Sequence, residues 1–440
     1  MPEGLNGTYF KNGGAMPVGR SRLPQHRFDY DGFVQAFDFQ NGEITYRARF
    51  VETRKLAAER EFGDLYLAGF DTMWPESPAL QNLDEINPSN INIIAQGSKL
   101  LSLWEAGSAW QIDPETLQSI GPVAWRDDLE AMPFSAHPKH DEDGSLWNFG
   151  HMPWLKKTAL YHIDAAGKLL NFNLLDMENT GMCHDFAITR SHLILMMPPL
   201  HWQHERADAA TTFLGMHEWR QTDPVEIFVL DKNRLEVTRR YHIPANFHFH
   251  IAGAFENNDG TIEVTLCQYP NADILWQTLK IWGQPTPTAL KAQIPKMRKL
   301  TLPAQSGTVT MAMEHHGHLE FPRLAGDFQK RRDSKCWSSG VDQASGLLRY
   351  IHATNLQTGS SQTFDYGPDK FVDEHVFVPK PVGKQRYDED GWLVGTHYNF
   401  KRHQTILSLL DASHVERGPI VTAALPMAVG PALHGNFVPR

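Results

Sequence analysis

Trp110-Gln111-Ile112-Asp113-Pro114-Glu115-Thr116-Leu117 is a short apolar strand that ends on an aspartate and turns at once. The phrase returns as Tyr161-His162-Ile163-Asp164, Phe228-Val229-Leu230-Asp231, His352-Ala353-Thr354-Asn355-Leu356 and Ser408-Leu409-Leu410-Asp411. Asp and Asn favour turns because the short side chain accepts from backbone N–H groups two residues on, so each copy reads as a strand feeding a tight connection to another strand. Successive copies are 51, 67, 124 and 56 residues apart. If the gap of 124 hides one degenerate copy, the period is about 60 residues and the chain holds about seven units. A few short strands per unit at that period is what a β-propeller with long loops shows, each blade being a sheet of four strands around a central channel. Hairpins ending in such turns occur in any large β-protein, so the pattern alone leaves that reading open beside the propeller.

Outward from these phrases, strand signals dominate, as in Asn41-Gly42-Glu43-Ile44-Thr45-Tyr46 and Asp259-Gly260-Thr261-Ile262-Glu263-Val264. The segment Asn271 to Leu300 breaks the rhythm. Leu275, Leu279 and Trp282 fall at helical spacing, and Pro285 and Pro287 then end the helix. That stripe packs on the β-body, caps a pocket mouth, or makes a weak contact with a membrane surface. No linker or shift in composition divides the chain, so residues 1–440 read as one all-β domain.

Composition excludes several classes. Of 440 residues, 41% are hydrophobic and 21% charged, which is ordinary for a globular chain. A net charge of -10, from 41 basic and 51 acidic residues, argues against nucleic acid, which needs a basic face to displace counterions from phosphate. Cys183, Cys267 and Cys336 are too few for a disulfide framework and point to a reducing cytoplasm. No signal peptide is visible at Met1 to Tyr9, and the richest apolar run, Leu193 to Leu200, is far short of a membrane span. HExxH, paired CxxC, EF-hand, Walker A and GxSxG motifs are absent, so a site must be assembled from distant residues.

Histidine is the unusual residue, with 22 copies. Four lie in specialised phrases: His137 in Ser135-Ala136-His137-Pro138-Lys139, His184 in Met182-Cys183-His184-Asp185-Phe186-Ala187-Ile188-Thr189, His250 in Phe249-His250-Ile251-Ala252-Gly253, and His434 in Leu433-His434-Gly435-Asn436-Phe437. They are 47, 66 and 184 residues apart, or about one, one and three units. Equivalent inner-strand positions of different blades face the central axis, so one histidine per blade can converge there. Neutral imidazole is a good ligand for Fe, Cu, Zn or Ni. Taken singly, each of the four reads as a hydrogen-bonded core or surface histidine.

At these phrases the chain resembles the carotenoid cleavage oxygenases, a family that includes stilbene-cleaving dioxygenases and the retinoid isomerase of the eye. The likeness runs from Leu5-Asn6-Gly7-Thr8-Tyr9-Phe10 through Phe28-Asp29-Tyr30-Asp31-Gly32-Phe33 to the terminal His-Gly phrase at His434. It implies a seven-bladed propeller in which His137, His184, His250 and His434 hold Fe(II) on the axis. His248 is set aside as a decoy, by its distance from Glu256 in the family pattern. It also implies three supporting carboxylates: Glu105 after Leu103-Trp104, Glu320 in Leu319-Glu320-Phe321-Pro322-Arg323, and Glu374 in Asp373-Glu374-His375. A carboxylate on the far ring nitrogen fixes the tautomer and orientation of a metal-bound imidazole. His162, His201, His204, His217, His315, His316 and His318 carry no such phrase and read as surface or loop residues.

The implied activity is a dioxygenase that cleaves a carbon-carbon double bond with O2 to give two carbonyl products, the alkene lying in an apolar tunnel. Trp104, Phe134, Trp147, Phe149 and Trp202 are candidate tunnel residues. Stilbene-cleaving members carry a lysine immediately before the first supporting glutamate, where this chain has Trp104, so the implied substrate is a carotenoid or apocarotenoid. An aryl-alkene such as a stilbene or phenylpropanoid is the alternative, and a noncatalytic metal-bearing propeller that binds a partner is a third reading. Two further departures from the family are Gly253 in place of asparagine and Gly14 in place of proline.

Overall fold

Every copy of the strand-and-turn phrase closes the third strand of a separate sheet. The computed structural model describes residues 1–179, 181–206, 211–278, 293–305, 307–314, 317–324, 335–381 and 390–440. Asp113 accepts from the backbone N–H of Glu115 and Thr116 at 3.0 and 2.7 Å, Asp231 from Asn233 and Arg234 at 2.9 Å each, and Asn355 from Gln357 and Thr358 at 3.0 and 2.9 Å. Asp164 and Asp411 do the same for Ala166 and Ser413. The side chain thus stands in for a strand partner while the chain reverses into the fourth strand. The gap of 124 does hide a copy: Lys296–Leu302 is the third strand of its sheet and ends on Pro303, without the aspartate.

Among the described residues the strands form seven antiparallel blades around a ring, beside one separate two-stranded sheet. In chain order, the second blade holds strands Asn92–Gln96 to Ser119–Pro122, and the third Lys139–His140 to Leu169–Asp176. The fourth runs from Phe186–Ile188 to Glu236–Ile243, with a hairpin inserted at Leu200–Trp202 and His217–Trp219. The fifth spans Phe247–Glu256 to Thr310–Glu314, the sixth Leu319–Leu324 to Ser361–Asp365, and the seventh Lys370–Pro379 to Pro419–Ala424.

The first blade closes the ring by joining both ends of the chain. Gly7–Asn12 pairs on one side with Asp31–Gln40, which pairs with Glu43–Phe50, and on the other with His434–Pro439. In that register Tyr9 faces Phe437 and Asn12 faces His434. Buried polar ties reinforce the seam. Lys11, 2% exposed, is 2.5 Å from Asp373 of the seventh blade, and Asn12 donates to the carbonyls of Ser89 and Asn92 at 2.9 and 3.0 Å.

Between blades, facing strand sides interlock. Ile194, Ile227 and Val229 of the fourth blade pack with Ile251, Val264 and Leu300 of the fifth. Each such side chain contributes about 1.5–3 kcal/mol by leaving water, and the alternation of the strands puts one inward face on every neighbour. Within the described residues, the expected helix after Asn271 is seen as a π-helical turn, Ile274–Thr278. Ile274 and Leu275 are buried in the core, so this part of the stripe packs on the β-body; Leu279, Trp282, Pro285 and Pro287 lie outside the described residues. No helix among the described residues is long and apolar enough to cross a membrane.

Candidate metal centre

Four imidazoles meet on the axis. His137 precedes the inner strand of the third blade, His184 that of the fourth, His250 lies on the inner strand of the fifth, and His434 opens the inner strand of the first. Ring centres are 4.4 Å apart for His137 and His184, 4.8 Å for His137 and His434, 5.2 Å for His137 and His250, and 4.9 Å for His250 and His434. Ligand atoms of His137, His184 and His250 lie within 4.8 Å of one another and could hold a metal ion.

The remaining three blades supply carboxylates. Glu374, on the inner strand of the seventh, meets His434 Nδ1 at 3.0 Å; Glu320, on that of the sixth, contacts His250 Nδ1; and Glu105, after the second strand of the second, lies 2.8 Å from His184 Nδ1. The Glu105 approach is close but misaligned for a hydrogen bond, and Glu105 is 15% exposed. The ladder shifts register between His248 and Ile251, at Glu320 to Arg323, and between Val372 and His375. A bulge inserts an unpaired residue and re-aims its side chain, which is how His250, Glu320 and Glu374 are turned to the axis from pleated strands. Phe321 adopts φ of 52°, unusual for a bulky residue, and its ring lies against His250 and His434.

Electrostatics favour the neutral ligand form at two of the rings. Burial, reinforced by the other imidazoles, pushes His137 well below its ordinary pKa. Burial outweighs Glu374 and takes His434 to about 4. At His250 burial acts the same way, but Glu320 overcomes it and holds the ring above its ordinary value. Burial would raise Glu374, yet the Arg323 guanidinium and His434 hold it far below the usual carboxylate range.

The donor set fits a cation. With Nδ1 of His250 and His434 turned to carboxylates, their Nε2 atoms face each other at 3.2 Å, and two lone pairs at that distance need a proton or a cation between them. His137 Nε2 is buried without a hydrogen-bond partner.

Two cavities reach the cluster. One, about 260 Å³, is polar and includes Asn92, Lys139, Asp185, Arg323 and Asn436 in its wall. The other, about 220 Å³, touches His184, His250 and His434 and is walled mainly by apolar groups such as Phe28, Ile91, Phe249, Leu348 and Phe371. Phe321 borders both. The apolar cavity is a site for an apolar ligand opening directly on the imidazoles.

The five aromatic residues expected in the tunnel have other packing partners than this cavity. Trp104 is core beside Leu103 and Ala106; Phe134 packs on Trp125 and Tyr161; Trp147 stacks on His162 at 3.8 Å; Phe149 meets Phe186; and Trp202 meets Trp154 and Phe213. None of them borders the apolar cavity. Large aromatic residues go where most apolar area is removed from water, which here is between blades and under loops. His248 is buried with neither ring nitrogen hydrogen-bonded and stays outside the imidazole cluster. His217, expected at the surface, is buried and bonded to the Phe213 carbonyl at 2.9 Å, because on the inserted hairpin its ring packs against Trp202 and Phe213. His162, His201 and His318 are partly buried, His204 lies in a short 3-10 turn, and His315 and His316 are outside the described residues.

Reading phrase by phrase missed two residues. Arg323 donates to both oxygens of Glu374 at 2.8 and 3.0 Å and to the Gly435 carbonyl at 2.8 Å. Asp185 joins Lys139 at 2.7 Å to the backbone N–H of Ile251 at 2.8 Å. Both sit inside phrases already singled out, one and three residues from a site histidine or glutamate, and that proximity was the available signal. Gly253 is at the register shift beside His250 and borders the polar cavity. A side chain at Gly14 would meet Tyr30 Cβ at 2.6 Å.

Fold and site define a class, a seven-bladed propeller built around an axial histidine cluster. The family described as "RPE65: Retinal pigment epithelial membrane protein" matches residues 1–439, and the chain belongs to it. It is 27% identical to the apocarotenoid-15,15'-oxygenase of Synechocystis sp., across 99% of this chain and 91% of that protein. It is 25% identical to the isoeugenol monooxygenase of Pseudomonas nitroreducens, across 100% and 93%, and 24% identical to the resveratrol cleavage oxygenase 1 of Aspergillus fumigatus, across 93% and 85%. Among solved structures, cobalt-substituted Synechocystis ACO superposes with a TM-score of 0.89 at 26% identity, covering 100% of this chain and 94% of that one.

Proposed function

We propose that the chain is a non-haem Fe(II) dioxygenase that cleaves one carbon-carbon double bond of a carotenoid or apocarotenoid with O2, giving two carbonyl products. The observation that carries this reading is the apolar cavity touching His184, His250 and His434, the three carboxylate-backed rings of a cluster of four convergent imidazoles. His137, His184, His250 and His434 would hold the ion. A ferrous ion there supplies the reduced centre that O2 chemistry requires. Glu105, Glu320 and Glu374 orient the rings, the cavity walls position the alkene, and burial of the cluster keeps bulk water away.

The relatives named for isoeugenol and resveratrol support an aryl-alkene as the second reading. Against it stands Trp104, buried and without an ammonium group to polarise a phenol. Three free, buried cysteines support a reducing, cytoplasmic setting.

Iron-reconstituted protein incubated under O2 with a long apocarotenal and, in parallel, with a 4-hydroxystilbene decides between the two. Aldehyde fragments from the polyene are expected, and loss of both iron and product in His184→Ala. Iron-loaded protein that cleaves neither compound overturns the proposal.

A further inference from the structure

Among the described residues lining the mainly apolar cavity, Arg27 is the one Lys or Arg. It begins the short turn Arg27–Asp29 and borders the same cavity as Phe28, Phe249 and His434, with its guanidinium carbon 5.8 Å from the Phe371 ring centre. One terminal nitrogen donates to the carbonyls of Pro431 and Ala432 at 2.8 and 3.1 Å, which places the side chain next to the segment leading into His434. Its other donors make no hydrogen bond or ion pair among the described residues. Neither nearby acid pairs with it directly: Asp373, whose charge reaches Arg27, is held by Lys11 at 2.5 Å and Thr396 at 2.6 Å, and Glu320, in the same cavity wall, is held by His250 and the Phe321 N–H. A guanidinium on an apolar cavity with no direct ion-pair partner is better satisfied when an anion completes it. Gln293, also in that wall, donates to Asn271 at 3.0 Å and keeps a buried, unpartnered Oε1, so it offers an anion no free donor to rival Arg27.

We infer that Arg27 anchors a carboxylate at one terminus of the substrate, so that the preferred ligand is an alkene acid. The planar fork of the guanidinium matches a carboxylate with two parallel N–H···O bonds. This rests on the reading of the apolar cavity as the substrate site and narrows the substrate class within it.

The test compares β-apo-8'-carotenoic acid with its methyl ester, which differ only in charge at one end. Binding is followed by quenching of tryptophan fluorescence in cobalt-loaded protein without O2. The acid is expected to bind about ten-fold tighter or more than the ester. Arg27→Gln should abolish that preference by weakening the acid alone, with cobalt content unchanged, and Arg27→Lys should restore part of it. Equal binding of acid and ester by the unaltered protein overturns the anchor, and so does a preference that survives in Arg27→Gln. Should Arg27→Gln fail to fold, the comparison in the unaltered protein decides alone. Turnover separates the two proposals. Preferred binding of the acid without cleavage of acid, ester or aldehyde by the iron-loaded protein sinks the oxygenase reading and leaves the anchor. Cleavage without preference for the acid does the reverse.

Discussion

Glu374 shows how much one side chain can organise. It is 3% exposed, receives two donors from Arg323, one from His434 and one from the Gly435 N–H, and so fixes both the ring and the backbone of the last strand. Glu374→Gln keeps the shape and removes the charge. Loss of such a support behind a ligand lowers metal affinity about 10–100-fold, and a smaller loss is expected for Glu105→Gln, whose carboxylate is more exposed and poorly aligned on His184. Titration with Co(II), read by visible absorption, checks the order; equal effects would contradict it. At this scale the four histidines stood out by their phrases, and the three glutamates were legible only through the family resemblance. Arg323 was not, because a lone arginine in sequence reads as a solvated charge, and only the fold shows it clamped between two blades.

Among the elements, third strands could be read directly, since an Asx turn after an apolar run is a local signal. Inner strands could not. Their bulges arise from pairing with the second strand, and the ligand orientation they produce has no signature in the residues alone. The apolar cavity was hidden for a similar reason: its wall is drawn from separate blades and loops, one residue at a time. The seam between first and last strands carries its own prediction. Deleting Leu433 to Arg440 removes His434 and also the strand paired with Gly7–Asn12, so both metal binding and cooperative unfolding of the ring should be lost, although most sheets keep their internal ladders. Circular dichroism during melting, beside metal analysis, reads both effects. A truncated protein that melts like the full chain would show the seam to be dispensable.

Seen whole, the molecule spends one axial position per blade: imidazoles from the first, third, fourth and fifth, carboxylates from the second, sixth and seventh. An ion held at that centre ties together blades whose main contacts are with their neighbours. Binding that is specific to the folded state stabilises by about 2.7 kcal/mol at a hundredfold excess over Kd. Co(II) should therefore raise the melting temperature by a few degrees, His184→Ala should abolish the rise, and a chelator should reverse it. Scanning calorimetry with and without the metal measures this; an unchanged midpoint at saturation would count against a centre that spans the ring.

The meeting of Asn12 with His434 also sets an order on biosynthesis. The first strand leaves the ribosome early and waits, its inner edge unpaired, through the making of six blades before its partner arrives. The fourth imidazole is delivered by that same partner. A nascent chain therefore cannot assemble the full set of ring nitrogens, and the newly made protein stays unable to complete its centre until the circle has been drawn shut.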